Sequence, residues 1–525
     1  MRKILTLLFF VPLMAGLSAR AQAPGATIDV QHYRFAITLN DADNIIKGQA
    51  TVTAKFLRTT KQFELDLAGQ NNDGKGMLVT ALKEQGRPVK FTQDSDKLII
   101  NTKSIAGTVH SYVITYRGIP TDGLIISTNL HKRRTFFGDN WATRARNWLP
   151  CVDHPADKAS VEFLVTAPAH YKVVANGLKI AEKVLPGNKK LTHWSETAKL
   201  PTKVMVIGVA DFAVANAGNP GGTPVYTYVF PEDKEAGFKS YAVATKILPW
   251  FVKRIGPFPY KKLANVQSKT VFGGMENAGA IFYYEKSVYD FKGMESLMAH
   301  EIAHQWFGDA TSEKNWWHVW LSEGFATYMT NLYLEGTYGA DTLKSRLEAD
   351  RKTIFGFEKR YLAPVVDSAF KGPMINMLND NAYQKGGWVL HMLRRKIGNE
   401  AFWKGVANYY KQYNGGNANT NDLRLIMEKA GGTDLKQFFN QWLRTAGHPQ
   451  LKITRDYNAT DKTVAIHINQ LQEKPYQFTL ELLVDGKLYK TEVKDAVTTF
   501  SVPVASAAPE IKIDPNVNLL ASFTE

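Results

Sequence analysis

His300-Glu301-Ile302-Ala303-His304 places two imidazoles four residues apart. On an α-helix that spacing puts both on one face, with Cβ atoms about 5–6 Å apart. Both can then reach a single Zn²⁺ at about 2.0–2.1 Å. Glu301 lies about 100° further round the helix, near the metal without sharing the histidine direction. That placement suits a general base acting on a water that the metal polarises. Leu297 and Phe307 are expected on the histidine stripe, turning it towards a buried cleft. A catalytic zinc also needs a third protein ligand and an open position. Trp320-Leu321-Ser322-Glu323-Gly324 supplies Glu323 at the start of the next helical pattern, with eighteen residues between it and His304. The bland alternatives are a chance coincidence on one helix and a glutamate favoured by the helix dipole. The two motifs together favour a His300, His304, Glu323 site for one zinc per chain, with Asp or Asn partners expected to fix the imidazole tautomers.

The elements that must position these residues change character along the chain. Up to about residue 213, short alternating runs such as His32 to Leu39, Gly48 to Phe56, Lys97 to Asn101 and Ser111 to Tyr116 predict strands. A Gly/Pro-rich patch, Gly218-Asn219-Pro220-Gly221-Gly222, reads as a boundary. Helical periodicity then predicts helices over 236–254, 293–308, 321–336, 341–352, 381–396, 400–413, 421–430 and 434–446. Gly447-His448-Pro449 is a stop signal, and alternation resumes from Leu451 to Ile513. The expected division is a leader at 1–21, an N-terminal β domain at 22–216, a mainly helical metallopeptidase domain at 217–448 and a small β-sandwich at 449–525.

The chain has 525 residues, 44% of them apolar, 12% aromatic and 22% charged, a globular composition without a disordered bias. Arg2 and Lys3 precede an apolar run from Ile4 to Leu17, followed by Ala19-Arg20-Ala21. Charge, length and small-x-small site predict a cleaved signal peptide rather than a membrane span, which needs about 20 apolar residues. A periplasmic or secreted product is expected. The lone Cys151 excludes a disulfide framework. The net charge of +15 comes from Lys and Arg scattered along the chain, so no nucleic-acid partner is expected.

With these motifs in place, the sequence resembles the aminopeptidase N and leukotriene hydrolase family of gluzincins, peptidase family M1. Gly273-Gly274-Met275-Glu276-Asn277 matches the family's Gly-x-Met-Glu-Asn segment, and Tyr383-Gln384-Lys385-Gly386 its Tyr-x-Lys-Gly segment. Pro150-Cys151-Val152-Asp153-His154-Pro155, Trp316 to Leu321 and Phe438 to Leu443 match further family segments. The resemblance implies a β-rich saddle-like first domain and a thermolysin-like catalytic domain. It also implies that Gly273 to Asn277 form an edge strand beside the cleft. Glu276 there binds the free α-amine of a peptide, and the Tyr383 hydroxyl stabilises the oxyanion. The implied activity is removal of N-terminal residues from peptides, with Glu301 as general base.

Two departures stand out. Relatives carry Gln or Glu about five residues before the position of Arg146, where this chain has Trp141 flanked by Asp139 and Asn140, either of which is a candidate substitute. Larger relatives also carry a C-terminal helical domain, for which no counterpart is expected after the small β-sandwich. An open cleft, or one closed by a second subunit of a homo-oligomer, is expected. A thermolysin-like endopeptidase and a non-catalytic zinc-binding scaffold remain alternative readings of the same residues.

Overall fold

Every second residue is buried in Ile46–Phe56, and in Ile28–Thr38 on either side of a bulge between Val30 and His32, as alternation requires of strands with one face on a core. The two pair antiparallel, Ile28 opposite Phe56 and Thr38 opposite Lys47. They form the centre of an eight-stranded sheet ordered Leu178–Leu185, Lys189–Pro201, Lys158–Pro168, Ile28–Thr38, Ile46–Phe56, Val109–Ile119, Gly76–Glu84, Arg87–Pro88. These come from a computed structural model describing residues 27–524; the expected leader lies outside them. A three-stranded sheet (Thr60–Asp66, Lys97–Ser104, Phe91–Asp94) and a four-stranded one (Lys172–Ala175, Ile207–Ala210, Arg134–Gly138, Leu124–Thr128) complete the β-rich part.

The Gly/Pro patch read as a boundary instead makes a hairpin turn. Strands Ala213–Asn216 and Val225–Val229 pair antiparallel across it, and Gly221 takes the positive φ of 66° that glycine accommodates without a Cβ clash. Both strands belong to a five-stranded sheet that continues through Leu263–Ser268 and Ala280–Tyr284 to an edge strand, Gly274–Met275. That edge carries the chain directly into Glu276.

Nine α-helices follow among the described residues: α1 (Lys234–Tyr241), α2 (Ala244–Ile255), α3 (Met294–His304), α4 (Trp320–Tyr338), α5 (Ala340–Glu358), α6 (Gly386–Ile397), α7 (Asn399–Tyr413), α8 (Thr420–Gly431) and α9 (Lys436–Arg444). The periodic stretch 236–254 is two helices broken at Ala242–Val243, because periodicity reports the apolar face and not continuity of backbone bonding. The stretch 381–396 opens as a π-helical turn, Asn381–Lys385, before α6. Helix α8 starts on Asn419, whose side chain accepts from the Asn421 and Asp422 amides while Asp422 answers to the Asn419 amide, a reciprocal cap. Thr420 then accepts from Trp320 Nε1 at 2.9 Å and pins the start of α4.

The closing strands form two sheets. Val497–Pro503, Thr463–Gln470, Gln450–Asn458 and Ser522–Thr524 make one, and Lys487–Val493, Phe478–Val484 and Ile511–Ile513 the other. Their buried residues belong to the same apolar cluster as the helices. Trp442 of α9 meets Tyr476 with ring centroids 5.2 Å apart, and Arg351 of α5 donates to Asp514 Oδ2 at 2.6 Å. No helix among the described residues is long and apolar enough to cross a membrane.

The β-rich part is tied to the helical part by buried lysines. Lys203 pairs with Glu313 at 2.7 Å with both side chains fully buried. Lys158 Nζ donates to the carbonyls of Asp309, Ala310 and Gly416. Removing one member of a buried ion pair strands the other, at a cost of about 3–5 kcal/mol, whereas an apolar replacement of both is often close to neutral. We therefore expect Lys203→Met to lower the urea midpoint markedly and Lys203→Met with Glu313→Leu to recover most of the loss. Equal stability of the single and double variants would show that the pair does not hold the seam.

Candidate active site

Helices α3 and α4 pack side by side and bring three donor atoms to one point. His300 Nε2 and His304 Nε2 are 3.0 Å apart, and Glu323 Oε2 is 3.4 and 3.1 Å from them. Ligands at tetrahedral angles, about 2.0–2.1 Å from a shared centre, would sit about 3.3 Å from one another. The triangle fits a divalent metal. His304 Nδ1–H donates to the Phe307 carbonyl at 3.1 Å, with Ser322 Oγ also 3.1 Å away, so Nε2 presents a lone pair to that point. Glu323 Oε2 is buried without a hydrogen-bond donor. Burial alone would lower the His304 pKa, but Glu323, Glu276 and Glu301 reverse this and push it up to about 10. Burial would likewise raise Glu323, yet His304 and His300 hold it well below the usual carboxylate range.

These partners correct two expectations. The tautomer of His304 is fixed by a backbone carbonyl and a serine, not by an Asp or Asn. Phe307 is not on the histidine stripe, because α3 ends at His304. Its ring instead stacks on Phe325 with centroids 4.4 Å apart, and only its carbonyl serves the site. Leu297 does line the cleft. Gly308 is required as well, since a Cβ there would stand 2.2 Å from Ser322 Oγ.

The edge strand brings Glu276 beside the Glu301 carboxylate of α3. A Cβ on Gly274 would lie 2.3 Å from Glu301 Oε1, so glycine lets the strand pass against that carboxylate. Burial, with Glu276 and Glu323 adding to it against His304, pushes Glu301 well above its ordinary pKa. Glu276 is 5% exposed, and its Oε1 has no partner although it borders the cavity. Gln305, one residue beyond α3, holds this segment by donating to the Glu276 carbonyl and accepting from the Gly279 amide, both at 2.7 Å. From the β-rich part Asn176 donates to the Ala278 carbonyl at 2.8 Å; Lys262, just before the strand Leu263–Ser268, donates to that of Gly279 at the same distance.

Tyr383 sits in the π-helical turn, its ring stacked on His300 with centroids 5.8 Å apart and planes at 13°. Burial, then the Glu323, Glu276 and Glu301 carboxylates, push its phenol well above the usual range, which keeps the hydroxyl a donor. The turn is held by Lys385, which donates to Glu358 at 2.7 Å and to the Gly447 carbonyl at 2.8 Å, while His448 contacts the other Glu358 oxygen at 2.5 Å. Gly324 and Gly386 meet backbone to backbone; a Cβ on Gly324 would lie 2.9 Å from Gly386 Cα.

The metal triangle, Glu276, Glu301 and Tyr383 open on one cavity of about 500 Å³. Of the motif residues, Gly273, Gly274, Met275, Glu276, His300, Glu301, His304, Glu323 and Tyr383 line it, and Asn277 does not: it is fully buried beneath the strand. Trp141 lines the cavity too, but neither neighbour substitutes for the second amine contact. Asp139 is taken by Arg144, Thr270 and the Val271 amide. Asn140 bonds the Thr202 and Met205 carbonyls and Trp148 Nε1. Ser322, Gln305 and Lys385 carried no sequence signal beyond membership of a motif or its flank.

Titrating metal-free protein with Zn²⁺ is expected to reveal one tight site per chain. Glu323→Ala should abolish it, and Ser322→Ala should weaken it about 10–100-fold by freeing the His304 ring. Unchanged affinity in the Glu323 variant would place the metal elsewhere.

Comparison with known proteins agrees with this arrangement. The Peptidase M1 N-terminal domain matches residues 29–204 and the Peptidase family M1 domain matches residues 240–442. The chain is 26% identical over 447 residues to the leucyl aminopeptidase of Saccharolobus solfataricus, covering 79% of this chain and 55% of that protein. A probable aminopeptidase 2 of Sulfurisphaera tokodaii is 25% identical over 454 residues, with 81% and 55% covered. The mitochondrial aminopeptidase 2 of Saccharomyces cerevisiae is 29% identical over 337 residues, with 60% and 34% covered. The chain thus spans about half the length of the first of these curated relatives, and both of its matched regions, with the site that joins them, place it in peptidase family M1.

Proposed function

We propose that this chain is a zinc aminopeptidase that hydrolyses the first peptide bond of substrates with a free N-terminus. The observation that carries this reading is Glu276, a buried carboxylate with an unpartnered oxygen at the cavity wall, beside the His300, His304, Glu323 triangle. A buried acceptor of that kind is costly unless a ligand completes it, and an ammonium does so with a charge-assisted hydrogen bond. An endopeptidase has no use for such a group at the end of its cleft. The relatives named above, aminopeptidases by name, support the same reading.

The donor set of two imidazoles and one carboxylate suits zinc, which when bound supplies Lewis acidity toward the scissile carbonyl and lowers the pKa of water. The residues of the chain do the rest. Glu276 anchors the ammonium and so sets the scissile bond one residue in. Glu301 accepts a proton from the attacking water as the new C–O bond forms, and returns it to the departing amine as the C–N bond breaks. The Tyr383 hydroxyl donates to the carbonyl oxygen as negative charge develops there. Export through the segment Arg2 to Ala21 belongs to the same proposal, supported by its charge, apolar length and small-residue site.

Glu301→Gln should keep the metal and lose about 10²–10⁴-fold in kcat on an aminoacyl anilide. Normal turnover by that variant, fully metal-loaded, would remove Glu301 from the mechanism. Acetylating the N-terminus of a good peptide substrate should lower kcat/KM by about tenfold or more, since a charge-assisted contact to Glu276 is lost. Equal cleavage of blocked and free peptide would favour an endopeptidase.

A further inference from the structure

Histidines apart, Arg346 of α5 is the one basic side chain lining the cavity among the described residues. Its Nε donates to Asn331 Oδ1 of α4, and Asn331 is itself 1% exposed. That anchor fixes the plane of the guanidinium, and its two terminal nitrogens have no partner among the described residues. Asp350, one turn further along α5, is turned to the same amide: Asn331 Nδ2 donates to its Oδ2 at 3.3 Å. An arginine held at Nε presents its Nη pair as a planar fork, the geometry that grips a carboxylate with two parallel hydrogen bonds.

The position of this fork relative to the reacting centre follows from how α3 and α4 run. Ser322 near the start of α4 meets His304 at the end of α3, and Tyr333 further along α4 donates to Glu295 at the start of α3, so the two helices are antiparallel. Glu276 is held by Gln305, just beyond His304, whereas Arg346 is held by Asn331, two turns beyond Glu323 on α4. The amine anchor and the guanidinium thus flank the metal triangle on different sides. Along the Arg346 side the cavity is also lined by Thr327 and Thr330 of α4 and by Ser296 of α3, small polar residues that leave room for a peptide. A substrate held at Glu276 and cut at the triangle sends its departing part towards Arg346.

We propose that Arg346 forms a carboxylate-binding subsite on the leaving-group side of the cleft, selecting substrates with a carboxylate one or two residues beyond the scissile bond. Two sources share that chemistry: the C-terminal carboxylate of a dipeptide or tripeptide, and an acidic side chain at the second position of a longer peptide. The subsite rests on the aminopeptidase reading, because the direction of the bound chain comes from Glu276.

The test compares kcat/KM values within each preparation of zinc-loaded protein, so that partial unfolding of a variant cancels. One pair is Leu-Leu as free acid and as C-terminal amide; the other is an amidated Leu-Asp-Ala and its Leu-Asn-Ala counterpart. A charged bidentate contact should favour the carboxylate member of at least one pair about tenfold or more in the wild type. The ratio should fall close to one in Arg346→Ala and to an intermediate value in Arg346→Lys, which keeps the charge but not the fork. A preference confined to the first pair assigns the subsite to the chain terminus, and one confined to the second assigns it to a side chain. Ratios near one for both pairs in the wild type, or a ratio that survives Arg346→Ala, overturn the subsite. Leucine anilide, which carries no carboxylate, reports separately on the underlying reading: if the wild type hydrolyses it while both ratios are near one, only the subsite fails, and if it does not, the aminopeptidase reading fails with it.

Discussion

Two imidazoles and a carboxylate stand with their donor atoms 3.0–3.4 Å apart inside a buried cleft, a crowding of electron pairs that needs a positive centre. Much of the helical part serves to impose it. Helix α3 supplies two donors through its own pitch, and α4 supplies the third from its first turn. The start of α4 is in turn pinned by the Thr420 hydroxyl at the head of α8. Around the triangle, Ser322, the Phe307 carbonyl and the bare Cα of Gly308 fix one ring in the orientation that aims Nε2 inward.

The two parts of the chain meet where substrate recognition would lie. Glu276 is borne by an edge strand of the five-stranded sheet, yet the segment after it is gripped on one side by Gln305 and on the other by Asn176 and Lys262. Lys203, which anchors the seam through Glu313, also lies close enough to act on Glu276. The setting of Glu276 therefore depends on the seam as well as on its own strand, while Asp139 and Asn140 are engaged elsewhere.

What was legible in the sequence was what local periodicity encodes. His300 and His304 announce themselves because a helix converts a spacing of four into a shared face. Strands such as Phe478–Val484 and helices such as α4 follow from apolar alternation and stripe. Glu276 and Tyr383 were legible only through resemblance, since each is one residue on a separate segment and nothing local marks it. Gln305, Ser322 and Arg346 could not be read at all. Their roles arise only when separate helices are laid side by side, and the hairpin at Gly218 to Gly222, read as a boundary, likewise shows itself only once both flanking strands are seen in one sheet.

The contact between Gly324 and Gly386 sets the span between Glu323 and Tyr383 by the thickness of two main chains. No rotamer lies between them to loosen or re-choose, so thermal motion of neighbouring side chains has little purchase on that interval. The backbones that bear the acid and the phenol are thereby held at a fixed separation, and substituting either glycine would force the two helical segments apart.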